Sequence, residues 1–457
     1  MKNWQSKTLF NYWKKLTSGS INRQIFGASV TVAFMTALVK IVSVLKELVI
    51  AWRFGIEDKL DAFLIAWLVP DIILNVIAYS FNSALIPTYI KVREQDGMKA
   101  AKKLFHGASI LSFFILMITI TILIITAPIY LPIIASGFSH DKLHLTFSLL
   151  RVIAPIILIS GIVSTWSAVL NAEESFALAA IVPIIGNIIG IFLLFFFKDW
   201  GIYSLVAGFL VSPLIDMFFI AIALKRRNIS VLPKWYGFDD HLKQVVSQYA
   251  PMIIAAFIIC SAGLVDKSMA AMLSPGSVSS LNYANRLIAS PISLISIALS
   301  TAVVPYFSKM IANENWLELR RTFEQYTKAI VITTLPITIF FLFSSQLIVK
   351  IFFERGSFTA QDTNDVAQIQ ALYALQIPFY IINILSIRLI TAMKSNQILI
   401  YFFGSNLIIN IGLNYLFIQW IGIKGIALST SCMYLFSSLA MLSMARRKIH
   451  QQICAEN

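Results

Sequence analysis

Three stretches of this sequence set ionisable and amide side chains at helical spacing inside otherwise apolar runs. Lys40, Ser43 and Glu47 share one face, with Lys46 beside Glu47. Asp71, Asn75, Ala78 and Asn82 form a second stripe, just after Pro70, which can bend the helix there. Asn282, Arg286, Ala289, Ser293, Ser296 and Ser300 form a third. A charge in an apolar helix is expensive unless it meets a partner or a wet cavity, so the three stripes are expected to converge on one polar cleft. Cations in such a cleft call for an anionic passenger, and phosphate suits Lys and Arg best. The chemistry is binding rather than bond-making. No His lies in an apolar run, and neither a metal-ligand cluster nor a Gly-rich phosphate loop is present.

Some of these residues also have a structural reading. Lys46 can extend to an interface with Glu47 neutralising it, Arg286 can anchor a helix end, and Ser296 and Ser300 read better as helix-packing positions. Arg151 and Arg388 read as charges between helices, and Asp216 is open to either interpretation.

The elements that must position these groups follow from composition. Of 457 residues, 58% are hydrophobic and 13% charged, more apolar surface than soluble cores can bury. Runs such as Ile110 to Ile134 exceed the ~20 apolar residues of a bilayer crossing and contain no charge. In lipid each crossing must satisfy its own backbone hydrogen bonds, and barrel-type alternation is absent, so the expected fold is an all-α polytopic membrane protein. Twelve segments can be read, centred near residues 36, 74, 115, 160, 187, 213, 257, 293, 340, 381, 409 and 435. An even number puts both termini on one side. That side collects 23 Lys and Arg against eight on the other, where Lys142 and Lys267 fall, so the termini are expected to be cytoplasmic. The net charge of +14 is spread over short loops, which fits contact with membrane lipids and not nucleic acid. Residues 1–24, with Trp4, Phe10 and Trp13 among lysines, read as a cytoplasmic interfacial segment without a cleavable signal. Three cysteines make no disulfide framework.

The chain repeats itself. "ALIPTYIKVREQDGMKAAKKLF" from Ala84 is matched without a gap by "AVVPYFSKMIANENWLELRRTF" from Ala302. Pro155 and Asn187 recur as Pro378 and Asn410 at one common offset. Two six-helix lobes are therefore expected, at 25–224 and 245–446, related by a pseudo-two-fold axis along the membrane normal. A basic cytoplasmic linker (225–244) joins them and a tail (447–457) follows. Paired lobes around a midplane cleft suit alternating access.

"VLKELVIAWRFGIEDKLDAFLIAWLVPDI" and "GSVSSLNYANRL" followed by "ALSTAVVPYFSKM" resemble the signatures of the MurJ (MviN-type) lipid II flippases. This family is related to polysaccharide flippases and multidrug exporters. The resemblance implies that Lys40, Lys46, Glu47, Asp61 and Arg286 stand at family site positions, to which the stripes add Asp71, Asn75 and Asn282 as substrate-binding candidates. An Arg pair of the family is replaced by Leu74 and Asn75, and the flippases usually carry two spans beyond the twelve read here. The implied activity is transfer of an undecaprenyl-pyrophosphate-linked saccharide, lipid II first, to the outer leaflet of a bacterial inner membrane. It implies a monomer without cofactor, coupled to a Na⁺ or H⁺ gradient or the membrane potential. An exopolysaccharide or O-antigen repeat unit is the alternative passenger, and the two departures favour it. A small-molecule exporter, kept open by Asp71, and a membrane glycan polymerase, for which the outer loops are short, rank lower.

Overall fold

The computed structural model describes the backbone of residues 21–173, 176–395 and 397–456. Side chains are described from residue 34 onward, apart from 176–180, 301–302 and 455–456. Among the described residues there are helices and short connections, and no strand. In the first half these are α1 (Ile21–Phe54), α2 (Asp58–Ile73), α3 (Ser80–Ile134), α4 (His140–Ile153), α5 (Pro155–Ala172), α6 (Phe176–Phe196) and α7 (Tyr203–Arg226). The second half has α8 (Asp240–Ala271), α9 (Ser277–Ala312), α10 (Trp316–Phe343), α11 (Ser345–Phe353), α12 (Ala360–Ala374), α13 (Ile377–Ala392), α14 (Gln397–Ile421) and α15 (Lys424–Glu456). The interfacial segment expected at 1–24 lies outside the described residues except for the first turn of α1.

Each of the twelve apolar segments falls on a helix, but eight helical runs are long and apolar enough to cross a membrane alone, and a bent pair makes a ninth. Three causes separate that count from twelve. Asp58–Ile134 counts once at 77 residues, yet it would be ~115 Å long if straight, against a ~30 Å apolar core. The chain turns inside it at Gly97, whose φ of 83° leaves the helical region. The described part of α1 carries Lys40, Lys46 and Glu47, and the apolar part of α6 is short.

The internal repeat is visible as shared punctuation. Pro155 starts α5 directly after α4, and Pro378 lies in the first turn of α13 directly after α12, with a bend of 41° between α12 and α13. A Pro in the first helical turn forfeits no hydrogen bond, whereas its ring bars the helix before it from running on straight. The two repeated stretches, from Ala84 and from Ala302, likewise each hold a Pro inside a helix (Pro87, Pro305) and then a break, at Gly97 and at Asn313 to Asn315.

The linker region does not hang free. Leu242, Val245 and Tyr249 at the start of α8 join Phe81, Leu85, Tyr89 and Leu104 of α3 in one buried cluster. The second half is thereby anchored on the first at the Gly97 end of the bundle.

Charge bias predicts a cytoplasmic Gly97 end. Single cysteines at Lys102 and Lys234 should resist an impermeant thiol reagent in intact cells, while one at the exposed Asp141 should react. The opposite labelling pattern would invert the orientation.

Candidate functional site

The two halves meet at the end of the bundle opposite Gly97. Helix α9 begins behind Gly276, which has φ of 82° and offers no side chain to cap the free amides of the first turn. Asp61 of α2 supplies the cap from the other half: Oδ2 accepts the Gly276 amide at 2.8 Å and Oδ1 the Ser279 amide at 2.7 Å. The carboxylate is 1% exposed and also accepts Lys142 Nζ at 3.1 Å. A charge at a helix N-terminus gains from the helix dipole as well as from the bonds, each worth about 1.5–3 kcal/mol when charge-assisted.

Around this carboxylate the backbones of the halves touch. Tyr283 Oη donates to the Gly55 carbonyl at 3.1 Å, Ser357 N to the Trp52 carbonyl at 2.8 Å, and Ser357 Oγ to the Arg53 carbonyl at 2.9 Å. Gly55 and Gly356 have positive φ, and a Cβ on either would collide with backbone of the opposite half, Ser357 O or Trp52 O. Glycine is required there by close approach as well as by conformation. Arg53 also binds carbonyls just past α6, at Lys198 (2.7 Å) and Phe197 (3.2 Å).

Below this seal lies the cleft. Glu47 Oε1 and Arg286 Nε pair at 3.1 Å across the halves, with the Arg side chain 57% exposed. Asp71 lies within the electrostatic reach of Arg286 and of Lys267 on α8. Lys267 in turn senses Arg286, Asp71 and Glu47. The family-like residues are thus only partly brought together. Lys46 is buried and turns its ammonium onto the Phe209 ring at 4.0 Å, beside Gly190. Lys40 is exposed, two turns earlier on α1. Asn282 lies one turn ahead of Arg286. Asn75 spends its amide on the Asp71 carbonyl at 2.8 Å, inside a π-helical turn, Leu74–Tyr79, that joins α2 to α3. Asp61 belongs to the seal and not to the cleft.

Lys267, which by sequence falls among the outer-loop cations, lies inside α8, near the charges of Arg286, Asp71 and Glu47. Its position four residues before the loop that carries Pro275 hid it. Asp266, next to it, was missed altogether. Asn414 Nδ2 donates to its carboxylate at 2.7 Å and Thr430 Oγ1 at 3.3 Å, and Asn414 Nδ2 also reaches Asn410 Oδ1 at 3.3 Å. Asn414 Oδ1 is buried and has no donor among the described residues. The repeat contained a signal for this cluster. The offset that carries Asn187 to Asn410 also carries Ser43 to Asp266, and Asn187 Nδ2 meets Ser43 Oγ at 3.4 Å in the first half. The same pair of helices meets in both halves, but in the second the amide that reaches the carboxylate is Asn414, one turn past Asn410.

Two helical halves sealed at one end over a charged cleft define a membrane transporter of the two-lobed kind. An inward-facing multidrug-resistance MATE family transporter of the MOP superfamily has this fold, with a TM-score of 0.80 at 15% identity over 94% of this chain and 99% of its own. The sequence profile described as "Lipid II flippase MurJ" matches residues 50–455, and the chain belongs to that family. A solved lipid II flippase MurJ in an inward closed conformation superposes with a TM-score of 0.78 at 25% identity, covering 91% of this chain and 87% of that one. A probable lipid II flippase MurJ of Buchnera aphidicola subsp. Acyrthosiphon pisum (strain APS) is 27% identical over 372 residues, 78% of this chain and 71% of its own.

Replacing Asp61 by Asn would turn an amide nitrogen toward one of the two backbone N–H groups. We expect the seal to weaken about tenfold or more in population, from the loss of one charge-assisted bond. A cysteine at Asn282 should then react faster with an impermeant reagent added outside, with protein abundance unchanged. Equal labelling in the parent and the variant would remove Asp61 from the seal.

Proposed function

We propose that this protein moves an undecaprenyl-pyrophosphate-linked saccharide, lipid II in the first place, from the cytoplasmic to the outer leaflet of a bacterial inner membrane. It does so as a monomer, by rocking the lobe at 25–224 against the lobe at 245–446. The observation that carries the reading is the half-exposed Arg286, paired to Glu47 across the lobes beneath a closed Asp61 seal. In the sealed state the cleft serves the cytoplasmic leaflet. A pyrophosphate arriving there competes with Glu47 for Arg286 and meets Lys267 on the neighbouring helix. Fork geometry favours the guanidinium for bidentate contact, while Lys267 acts as a point charge. Breaking the Glu47–Arg286 pair loosens a contact between lobes, so substrate binding and lobe release become one event.

Arg286→Ala and Lys267→Ala should each lower flipping in proteoliposomes by at least about tenfold, with Arg286→Lys retaining more than Arg286→Ala. Normal flipping by both alanine variants would sink the anionic-head assignment.

A repeat unit on the same lipid carrier is the second reading, and Leu74 and Asn75 favour it. Leu74 is buried and Asn75 is bound to its own helix, so neither offers a cation to the peptide carboxylates of lipid II. Growth of a host depleted of its lipid II flippase separates the two. Rescue by this chain supports the first reading. Failure to rescue, together with build-up of a lipid-linked polysaccharide precursor on deletion in the native organism, supports the second.

For the driving force we assign Asp266. Among the described residues its carboxylate has only neutral donors, and the Asn414, Asn410 and Thr430 oxygens nearby are hard ligands that a Na⁺ would share. Asp266→Asn should flip at the parent's gradient-free rate and gain nothing from an imposed Na⁺ or H⁺ gradient. Undiminished stimulation by the gradient in this variant would place the coupling elsewhere.

A further inference from the structure

On the flank of the first half, at the Gly97 end, α3, α5 and the linker enclose a groove of ≈ 300 Å³. Ser109, Ser112, Phe113 and Trp166 line it, and Val231 and Pro233 of the linker close it at one end. None of the cleft residues contributes. Phe113 and Phe114 remain exposed at its mouth, 39% and 58%, so the groove opens toward lipid.

Its polar content is small and oddly placed. Ser112 Oγ and Thr165 Oγ1 satisfy one another at 3.2 Å, but Ser109 Oγ is buried without a partner among the described residues. One turn earlier His106, 7% exposed, leaves Nδ1 unpartnered too, with its ring 6.2 Å from that of Tyr236 in the linker. Buried polar atoms with no partner are rare, and Ser109 Oγ in the lining, with His106 Nδ1 one turn before it, points to an absent ligand. Cations surround this end. Lys103 Nζ lies 5.8 Å from the Tyr236 ring, and Lys102 and Lys234 both act electrostatically on His106. The linker meanwhile exposes Leu232, Trp235, Tyr236 and Phe238 beside Lys234, the mixture that settles at the headgroup level of a bilayer.

We propose that this groove holds an acyl chain of an anionic phospholipid of the cytoplasmic leaflet, with the phosphate among Lys102, Lys103 and Lys234. An apolar slot with an unpaired hydroxyl in its lining, cations about two turns back along α3 and Lys234 directly after lining residue Pro233 matches a chain, a glycerol ester and a phosphate in that order. The bound lipid cements the linker onto α3 and α5, and so fixes the joint between the lobes from the outside. The site is independent of what the cleft transports.

Trp166 provides the reporter. The full chain is reconstituted with phosphatidylglycerol or phosphatidylcholine bearing brominated acyl chains, and the Trp166 emission is taken as the difference from a Trp166→Phe variant. Half-quenching should need about fivefold less phosphatidylglycerol than phosphatidylcholine. Lys102→Gln with Lys234→Gln, both on exposed or half-exposed side chains, should erase the difference. Equal quenching by the two lipids would reduce the groove to ordinary annular contact and overturn the proposal. So would displacement of brominated phosphatidylglycerol by undecaprenyl phosphate at lower mole fraction than by unlabelled phosphatidylglycerol, which would give the groove to the tail of the transported lipid. As a second measurement, Ser109→Trp should fill the slot and remove one retained phosphatidylglycerol in native mass spectrometry. An unchanged lipid count would count against the site.

Discussion

The sealed arrangement depends on one carboxylate placed at another lobe's helix terminus. Asp61 completes the first turn of α9, a helix whose N-cap residue is a glycine. Such a helix is under-capped until the two halves come together, so its local stability is tied to the global state. The contact is also all-or-none. Two amides and an ammonium converge on one buried group, and withdrawing α9 leaves a nearly inaccessible charge with only Lys142 for compensation. A seal made in this way has two discrete conditions and little between them, as alternating access requires.

The two stretches that carry the family resemblance are now explained as one physical object. The first runs through Glu47, Gly55 and Asp61, and the second through Gly276, Ser279, Tyr283 and Arg286. Every one of these residues takes part in a contact between the two stretches, or caps the backbone that makes it. The signature marks the junction between the lobes. Arg286 and Glu47 form its wet end and Asp61 its dry end.

Much of the architecture was legible because its causes are local. Apolar length dictates crossings, Pro155 and Pro378 dictate breaks, and the repeat dictates pairing of halves. The convergence of Glu47 and Arg286 was legible for the same reason, since each sits on a polar stripe of its own helix. Asp61 could be marked by resemblance, but its role could not be read, because its partners are 215 and 218 residues away and are backbone amides, which leave no trace in side-chain identity. Lys46 was open to both a structural and a cleft reading. Its side chain lies beside the small Gly190, which approaches Gly208 on the next helix, and its ammonium rests on the Phe209 ring. Pattern on one helix cannot disclose space on another.

Asp266 and Lys267 show how the remaining pieces connect. Consecutive residues on an α-helix are turned by about 100°, so neighbours in sequence serve different surfaces. Asp266 bonds to side chains of α14 and α15 within the second lobe, while Lys267 lies near the charges of Asp71 and Arg286. The helix that carries both begins on the first lobe, where Tyr249 Oη donates at 3.1 Å to the Ile77 carbonyl in the π-helical turn following Asp71. One rigid element therefore touches the proposed coupling group, the proposed substrate cation and the widest turn of α2. Any reorientation of α8 that follows a change of charge at Asp266 must carry Lys267 with it, and must also pull on the turn below Asp71. With Asp266 as the proposed coupling group, the energy source would need no separate path to the cleft, because Asp266 and Lys267 are adjacent residues on a single helix.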